Sequence, residues 1–232
     1  MTIKNHHHKK TNNAAIKTVV AKAIVLRGID MNNTKLSGLD FTLAEMVNCN
    51  LTGSVLTETV LKKANLSYSQ LSDSNLNGVN LSQANLQNCI MHNTLMSGAE
   101  MEGANFSYAD LTGAVLDGSY MNSKINRAEQ TNLKKSVFRK STLRGTKLTM
   151  LDLSSIDFTG ADLTGADLSG SNLKGANFTD ANLTGAKFNK CDLTDIYIKG
   201  AIIRNTQFDD AELDGIDHND FAAAVNAGKL AA

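Results

Sequence analysis

Large apolar residues recur along this chain with a period of five. From Leu26 to Met121 every fifth residue is Leu, Met or Phe, and after a break the spacing resumes at Leu133 and runs to Leu213, filled by Leu, Phe or Ile. The two runs hold 20 and 17 positions, 37 repeats in all. Taking this residue as the centre of a repeat, the position two before it is small or short, as at Ala64, Ala84, Ala104, Ala161 and Ala181, with Ser or Thr elsewhere. The position directly before it is often Asp or Asn, as at Asn65, Asn85, Asp110, Asp162 and Asn182. Sixteen of the 17 glycines sit two residues after a centre.

A period of five suits neither regular element. Five helical steps carry a side chain about 140° off its face, and five strand steps flip it to the opposite face. Something must therefore turn the chain once per repeat. The small residue and the centre both point inward from a three-residue strand, and the next two residues form a corner where Gly tolerates positive φ. Four right-angle corners close a coil, so one coil holds twenty residues. Phe138, Phe158 and Phe178 are spaced by twenty, as are Phe188 and Phe208, which predicts stacked rings about 4.8 Å apart. The 37 repeats then make about nine coils, a rod on the order of 40 Å long.

These residues resemble the pentapeptide-repeat family, whose pattern is A(D/N)LXX. The run Ala161-Asp162-Leu163-Thr164-Gly165-Ala166-Asp167-Leu168-Ser169-Gly170 matches it plainly, and the resemblance spans about residues 24 to 215. It implies an all-β fold, a right-handed quadrilateral β-helix. It does not imply one function, because members of the family include gyrase-protecting resistance proteins, bacterial effectors and cyanobacterial regulators.

The expected organisation is a polar, basic leader over 1–23, a solenoid over 24–216 with a phase break at 122–132, and a capping helix with a tail over 217–232. Ala14 to Ala23 reads as a short cap helix or an irregular first coil. From Met121 to Leu133 is twelve residues, two repeats plus two extra, which reads as a tolerated corner insertion or as a partner-contacting loop. At the other end, Asp217 begins an N-capped helix that closes at Gly228, with Phe221, Ala224 and Val225 on one face covering the last coil. Lys229 to Ala232 reads equally as native tail or vector remnant. The family resemblance also implies that this end can mediate dimerisation.

Composition narrows the chemistry. Pro is absent, as befits a fold in which nearly every backbone N–H is needed. No stretch reaches 18 apolar residues, and the leader lacks an apolar signal-peptide core, so the expectation is a cytoplasmic, bacterial protein, with export as an effector the alternative. Cys49, Cys89 and Cys191 fall at the small inward position and read as core packers. No catalytic constellation, phosphate loop or metal-ligand spacing is present, and no cofactor is expected; the histidines His6, His7 and His8 read as part of a polar leader.

Lys plus Arg and Asp plus Glu both total 23, yet the charge is banded. Residues 122 to 150 carry Lys124, Arg127, Lys134, Lys135, Arg139, Lys140, Arg144 and Lys147 against Glu129 alone. This basic belt is a candidate surface for an acidic partner or a phosphate-bearing molecule, against the plainer reading that outward positions are simply polar. Tyr68 and Tyr108, at one corner two coils apart with Asn48 and Asn88 in register, are a second candidate contact. The expected function is a non-enzymatic interaction scaffold or regulator. The alternatives are a DNA-mimicking protein that binds DNA gyrase or another topoisomerase, against which the basic belt speaks, and a secreted effector.

Overall fold

The computed structural model describes residues 24–116, 133 and 135–230. Its backbone follows from where five N–H groups per repeat find acceptors. The centre donates to the next coil, as in Leu163 N–H to Asn182 O at 2.8 Å, and so does the residue two further on, Gly165 to Thr184 O at 2.8 Å. The residue before the centre donates to the preceding coil, Asp162 to Ser141 O at 2.9 Å. The small residue closes the corner, Ala166 N–H to Leu163 O at 2.9 Å.

That leaves the N–H directly after the centre, which faces outward with no backbone acceptor. Its partner is the side chain two residues back: Thr164 N–H donates to Asp162 Oδ1 at 3.0 Å, Thr184 to Asn182 Oδ1 at 3.1 Å, and Thr194 to Asp192 Oδ1 at 2.9 Å. These are Asx turns, in which a short carboxylate or amide replaces a backbone acceptor. They explain why Asp or Asn recurs before the centre.

Coils stack as parallel bridges of one residue per side. Val25 pairs with Glu45, Asp30 with Asn50, Lys35 with Val55 and Asp40 with Val60, each a separation of twenty. These four columns define side one to side four, and side one climbs through nine layers from Val25 to Tyr197. Each side is narrower than the three-residue strand the sequence suggests, because the corner begins directly after the centre. Corner residues adopt positive φ, 62 to 73° where glycine stands and 52 to 63° elsewhere. At Gly200, with φ of 72°, an added Cβ would also meet the Asp180 carboxylate of the coil before.

Inside, centres and small residues are buried along the array. Phe106, Phe138, Phe158 and Phe178 stack at centroid distances of 4.9, 5.5 and 5.1 Å, and Phe188 stacks on Phe208 at 5.5 Å. Offset rings at one coil spacing gain contact beyond their buried area. Hydroxyls at the small position are satisfied too. Ser54 donates to Met31 O at 2.7 Å and Thr59 to Leu36 O at 3.0 Å, each reaching a carbonyl of the coil before.

The phase break lies outside the described residues, but its register is fixed on both sides. Asn105 pairs with Val137, Asp110 with Thr142 and Val115 with Lys147, 32 residues apart instead of twenty. Twelve residues, not two, are therefore surplus to the coil, and they enter between Leu116 on side three and Leu133 on side four. The Phe106–Phe138 stack, with planes 1° apart, joins the two parts across this point.

One helix is described, α1 (His218–Leu230). Asp217 caps it, its Oδ1 accepting from Asn219 and Asp220 N–H at 2.8 and 3.0 Å. Ala224 is buried, Phe221 and Val225 pack on the core, and Phe221 meets Phe208 edge-on at 6.0 Å. The helix continues past Gly228, where the sequence suggested it would close. A helical glycine costs about 1 kcal/mol relative to alanine, which a helix seated through Phe221, Ala224 and Val225 tolerates. The leader over 1–23 lies outside the described residues.

Ser171 gives a direct test of this hydrogen-bond arrangement. Its buried hydroxyl donates to Leu148 O at 2.7 Å and accepts from Leu151 N–H at 2.9 Å. Ser171→Ala orphans both groups and is expected to cost about 1–3 kcal/mol in denaturant unfolding; a loss below about 0.5 kcal/mol would show that the corner does not depend on the hydroxyl.

Candidate functional site

Since the interior is occupied by side chains, chemical variety is carried by outward positions: those flanking the centre and the corner residue after them. The belt residues occupy one layer. Lys135 stands at the corner between sides four and one, Arg139 on side one, Lys140 at the next corner, Arg144 on side two and Lys147 on side three. Lys124, Arg127 and Lys134 lie outside the described residues.

The structure does not leave this belt as a bare positive surface. Arg139 pairs with Asp157 at 3.5 Å, Arg144 with Asp162 at 3.7 Å, and Lys135 with Glu102 at 3.5 Å. Arg27 pairs with Glu45 at 2.9 Å and His92 with Asp110 at 2.8 Å in the same geometry. The rule behind four of these pairs is a separation of 18. A residue just after one centre lies diagonally beside the residue just before the centre one coil later. Sequence reading missed it because charges were summed along the chain and not across coils. Exposed pairs of this kind contribute roughly 0–1 kcal/mol each, so their effect is on the surface potential more than on stability.

Tyr68 and Tyr108 occupy the corner between sides one and two, in the column Gly28, Asn48, Tyr68, Asn88, Tyr108, Lys140 and Gly160. Both are exposed, 60% and 55%, and both hold positive φ, 63 and 62°. Lys140 Nζ lies 5.8 Å from the Tyr108 ring centroid, within cation–π range. Ile90, 42% exposed, stands on side two in the layer between the tyrosines.

Side four, by contrast, is acidic. It presents Asp40, Glu100, Glu102, Asp152, Asp192, Glu212 and Asp214 against Lys62 and Lys174 among the described residues. Hydrogen bonding from Thr194 holds the Asp192 carboxyl below its ordinary value, as Thr42 does for Asp40. Burial opposes ionisation of Asp110, but hydrogen bonds from Thr112 and His92 outweigh it and lower its value as well. A half-open groove of about 530 Å³ at the α1 end carries Asp195, Asp217 and Asp220 beside Tyr197. No group of three or more metal-ligating side chains is found among the described residues.

The cysteines are placed as the spacing suggested, each buried, with Cys89 Sγ and Cys191 Sγ both 3.1 Å from a carbonyl of the preceding coil. Desolvation pushes Cys49 and Cys191 up to about 11 and Cys89 to about 12, from an ordinary value of 9.0. A raised folded value means the protonated thiols favour the fold fully below pH 9.0, and that contribution is lost as pH rises towards 11 to 12. The native protein is therefore expected to resist a thiol-specific chromogenic reagent at pH 8 and to react fully once unfolded. Rapid labelling of the folded protein would contradict the placement.

The pentapeptide-repeat profile matches eight copies, over residues 24–53, 44–83, 80–118, 127–160 and 156–195. No curated protein matches the sequence closely enough to stand as a relative. Among solved structures, the chain is similar to HetL, a pentapeptide repeat protein involved in heterocyst differentiation regulation from the cyanobacterium Nostoc sp. strain PCC 7120. The likeness covers 84% of this chain and 86% of that one, at 25% identity and a TM-score of 0.63. Trypsin-treated QnrB1, a plasmid-mediated fluoroquinolone resistance protein, matches at 16% identity over 90% of this chain and 97% of that one, with a TM-score of 0.56. At that identity the second likeness bears on fold alone. No helix among the described residues is long and apolar enough to cross a membrane.

Proposed function

Because this chain belongs to the pentapeptide-repeat family, a family of β-solenoids, we propose that it works without catalysis, as a rigid rod that recognises a protein partner through its outward side chains. The observation that carries this reading is the division of labour within each repeat. Two residues fill the interior, backbone hydrogen bonds fix the register, and the remaining positions hold side chains on a regular raster. Binding by such a surface costs little conformational ordering of the rod itself. Likeness to HetL, which is involved in a regulatory process, supports a regulator over a purely structural role.

In this reading the belt of Lys135, Arg139, Arg144 and Lys147 recognises an acidic partner, the first three by exchanging their intramolecular ion pairs for intermolecular ones. Paired charges favour specificity and orientation more than raw affinity. The exposed outer positions of α1, Ala222 and Ala223, would serve a second copy at the C-terminal end.

A second reading has the acidic column of side four in its favour: the rod would bind a topoisomerase such as DNA gyrase at a surface that otherwise receives DNA. The two readings separate on one pair of assays. Affinity capture from the host lysate is run with the wild type and with a Lys135→Gln, Arg139→Gln, Arg144→Gln, Lys147→Gln variant, which removes charge without setting like charges side by side. The belt reading expects a protein retained by the wild type and lost with the variant, at an unchanged melting temperature. The gyrase reading expects supercoiling to respond to the protein and side-four charge removal to abolish that response. Indifference of gyrase to a large excess of protein eliminates it, and capture unaffected by the variant eliminates the belt.

A further inference from the structure

The tyrosine corner lies beside the belt but is built differently. Its column otherwise carries Gly and Asn up to Tyr108, residues that tolerate left-handed backbone, while other corners hold long side chains at the same φ, as at Leu43, Lys63, Gln83 and Met150. Two tyrosines at φ of 63 and 62° cost roughly 1–2 kcal/mol each relative to glycine, and their rings are more than half exposed. The interior gains nothing from them. What sets these two corners apart is the exposed aromatic area they carry, the kind of contact that binding surfaces use.

Spacing and charge select the occupant. Tyr68 and Tyr108 stand two coils apart, about 9.6 Å at roughly 4.8 Å per coil, with exposed Asn88 as the floor between them and Ile90 at the side. A polyproline II segment presents the same edge every third residue, about 9.3 Å along its axis. An extended β segment repeats every second residue, about 6.6 Å, and does not match. Two coils beyond the Asn88 floor, Lys140 Nζ lies 5.8 Å from the Tyr108 ring centroid, so a residue three positions on from the slot meets a cation. The chain contains no Pro, so the segment comes from another molecule.

We propose that Tyr68, Ile90 and Tyr108 form a docking strip for a polyproline II segment of a partner protein, with a proline ring between the tyrosines and an acidic residue three positions later beside Lys140. Pyrrolidine rings pack on aromatic faces, and the preformed helix loses little entropy on binding. This deepens the interaction-rod reading and rests on it, but uses none of the four belt residues replaced above.

The test is fluorescence anisotropy with a labelled peptide of sequence Ala-Pro-Ala-Ala-Pro-Ala-Ala-Glu-Ala and the full chain. Saturable binding is expected, weakened about tenfold or more, a change of about 1.4 kcal/mol, by Tyr68→Asn, by Tyr108→Asn and by a peptide with lysine replacing the glutamate. Asn suits the left-handed corner, so both variants should melt at or above the wild-type temperature. Absence of saturable binding to the folded protein overturns the proposal, as does equal binding by the Asn variants. Sedimentation showing a dimer that the Asn variants abolish would assign the strip to a second copy and overturn it as well. If the peptide fails while belt-dependent capture persists, the strip falls and the rod reading stands.

Discussion

One N–H per repeat has no backbone acceptor, and the architecture depends on how it is satisfied. Four of the five amides in a repeat bond within the ladder or the corner; the fifth, directly after the centre, turns outward. Asp or Asn before the centre captures it in an Asx turn, as at Asp162, Asn182 and Asp192. Leaving such a group to water is tolerable on the surface, which is why Val55, Val60 and Val137 also occupy the position. Where it occurs, the capture ties the residue before the centre to the start of the corner, while the corners after Val55 and Val60 reach the same left-handed φ of 58° at Glu58 and Lys63 through the ladder alone. The absence of Pro and the left-handed corner residues follow from the same accounting.

A backbone satisfied in this way releases the outward side chains from structural duty. Diagonal pairs such as Arg139–Asp157 and Arg144–Asp162 contribute little to stability, and the exposed tyrosines oppose it. What these groups share is rigid placement at known intervals. A surface ordered in advance is suited to recognition, and the ion-paired belt meets the acidic column of side four at Lys135–Glu102 and the tyrosine corner at Lys140. An interior filled by Leu, Phe and Ala offers no comparable setting for bound substrate.

Much of this was legible in the sequence. The five-residue spacing gave the repeat, phenylalanines twenty apart gave the coil, the small position located the cysteines, and Asp217 marked the start of the helix. The surplus at the break was misjudged for a definite reason. Phase along a five-residue pattern is known only modulo five, and two and twelve are then the same number; only pairing of Asn105 with Val137 separates them. The end of α1 was misread because a glycine permits a helix to stop without compelling it to, and the helix runs on to Leu230. Charge was misread because bands along the chain conceal neighbours 18 apart, which share a surface once the chain is coiled.

Hydrogen–deuterium exchange resolved to single amides tests the central claim most directly. If Asx capture supplies the fifth hydrogen bond of the repeat, the amides of Thr164, Thr184 and Thr194 exchange slowly, while those of Thr57, Lys62 and Arg139, which follow Val55, Val60 and Val137, exchange far faster within an equally protected ladder. Equal exchange in the two groups would contradict the account, since the carboxylate or amide before the centre would then be an ornament of the repeat and not its fifth hydrogen bond.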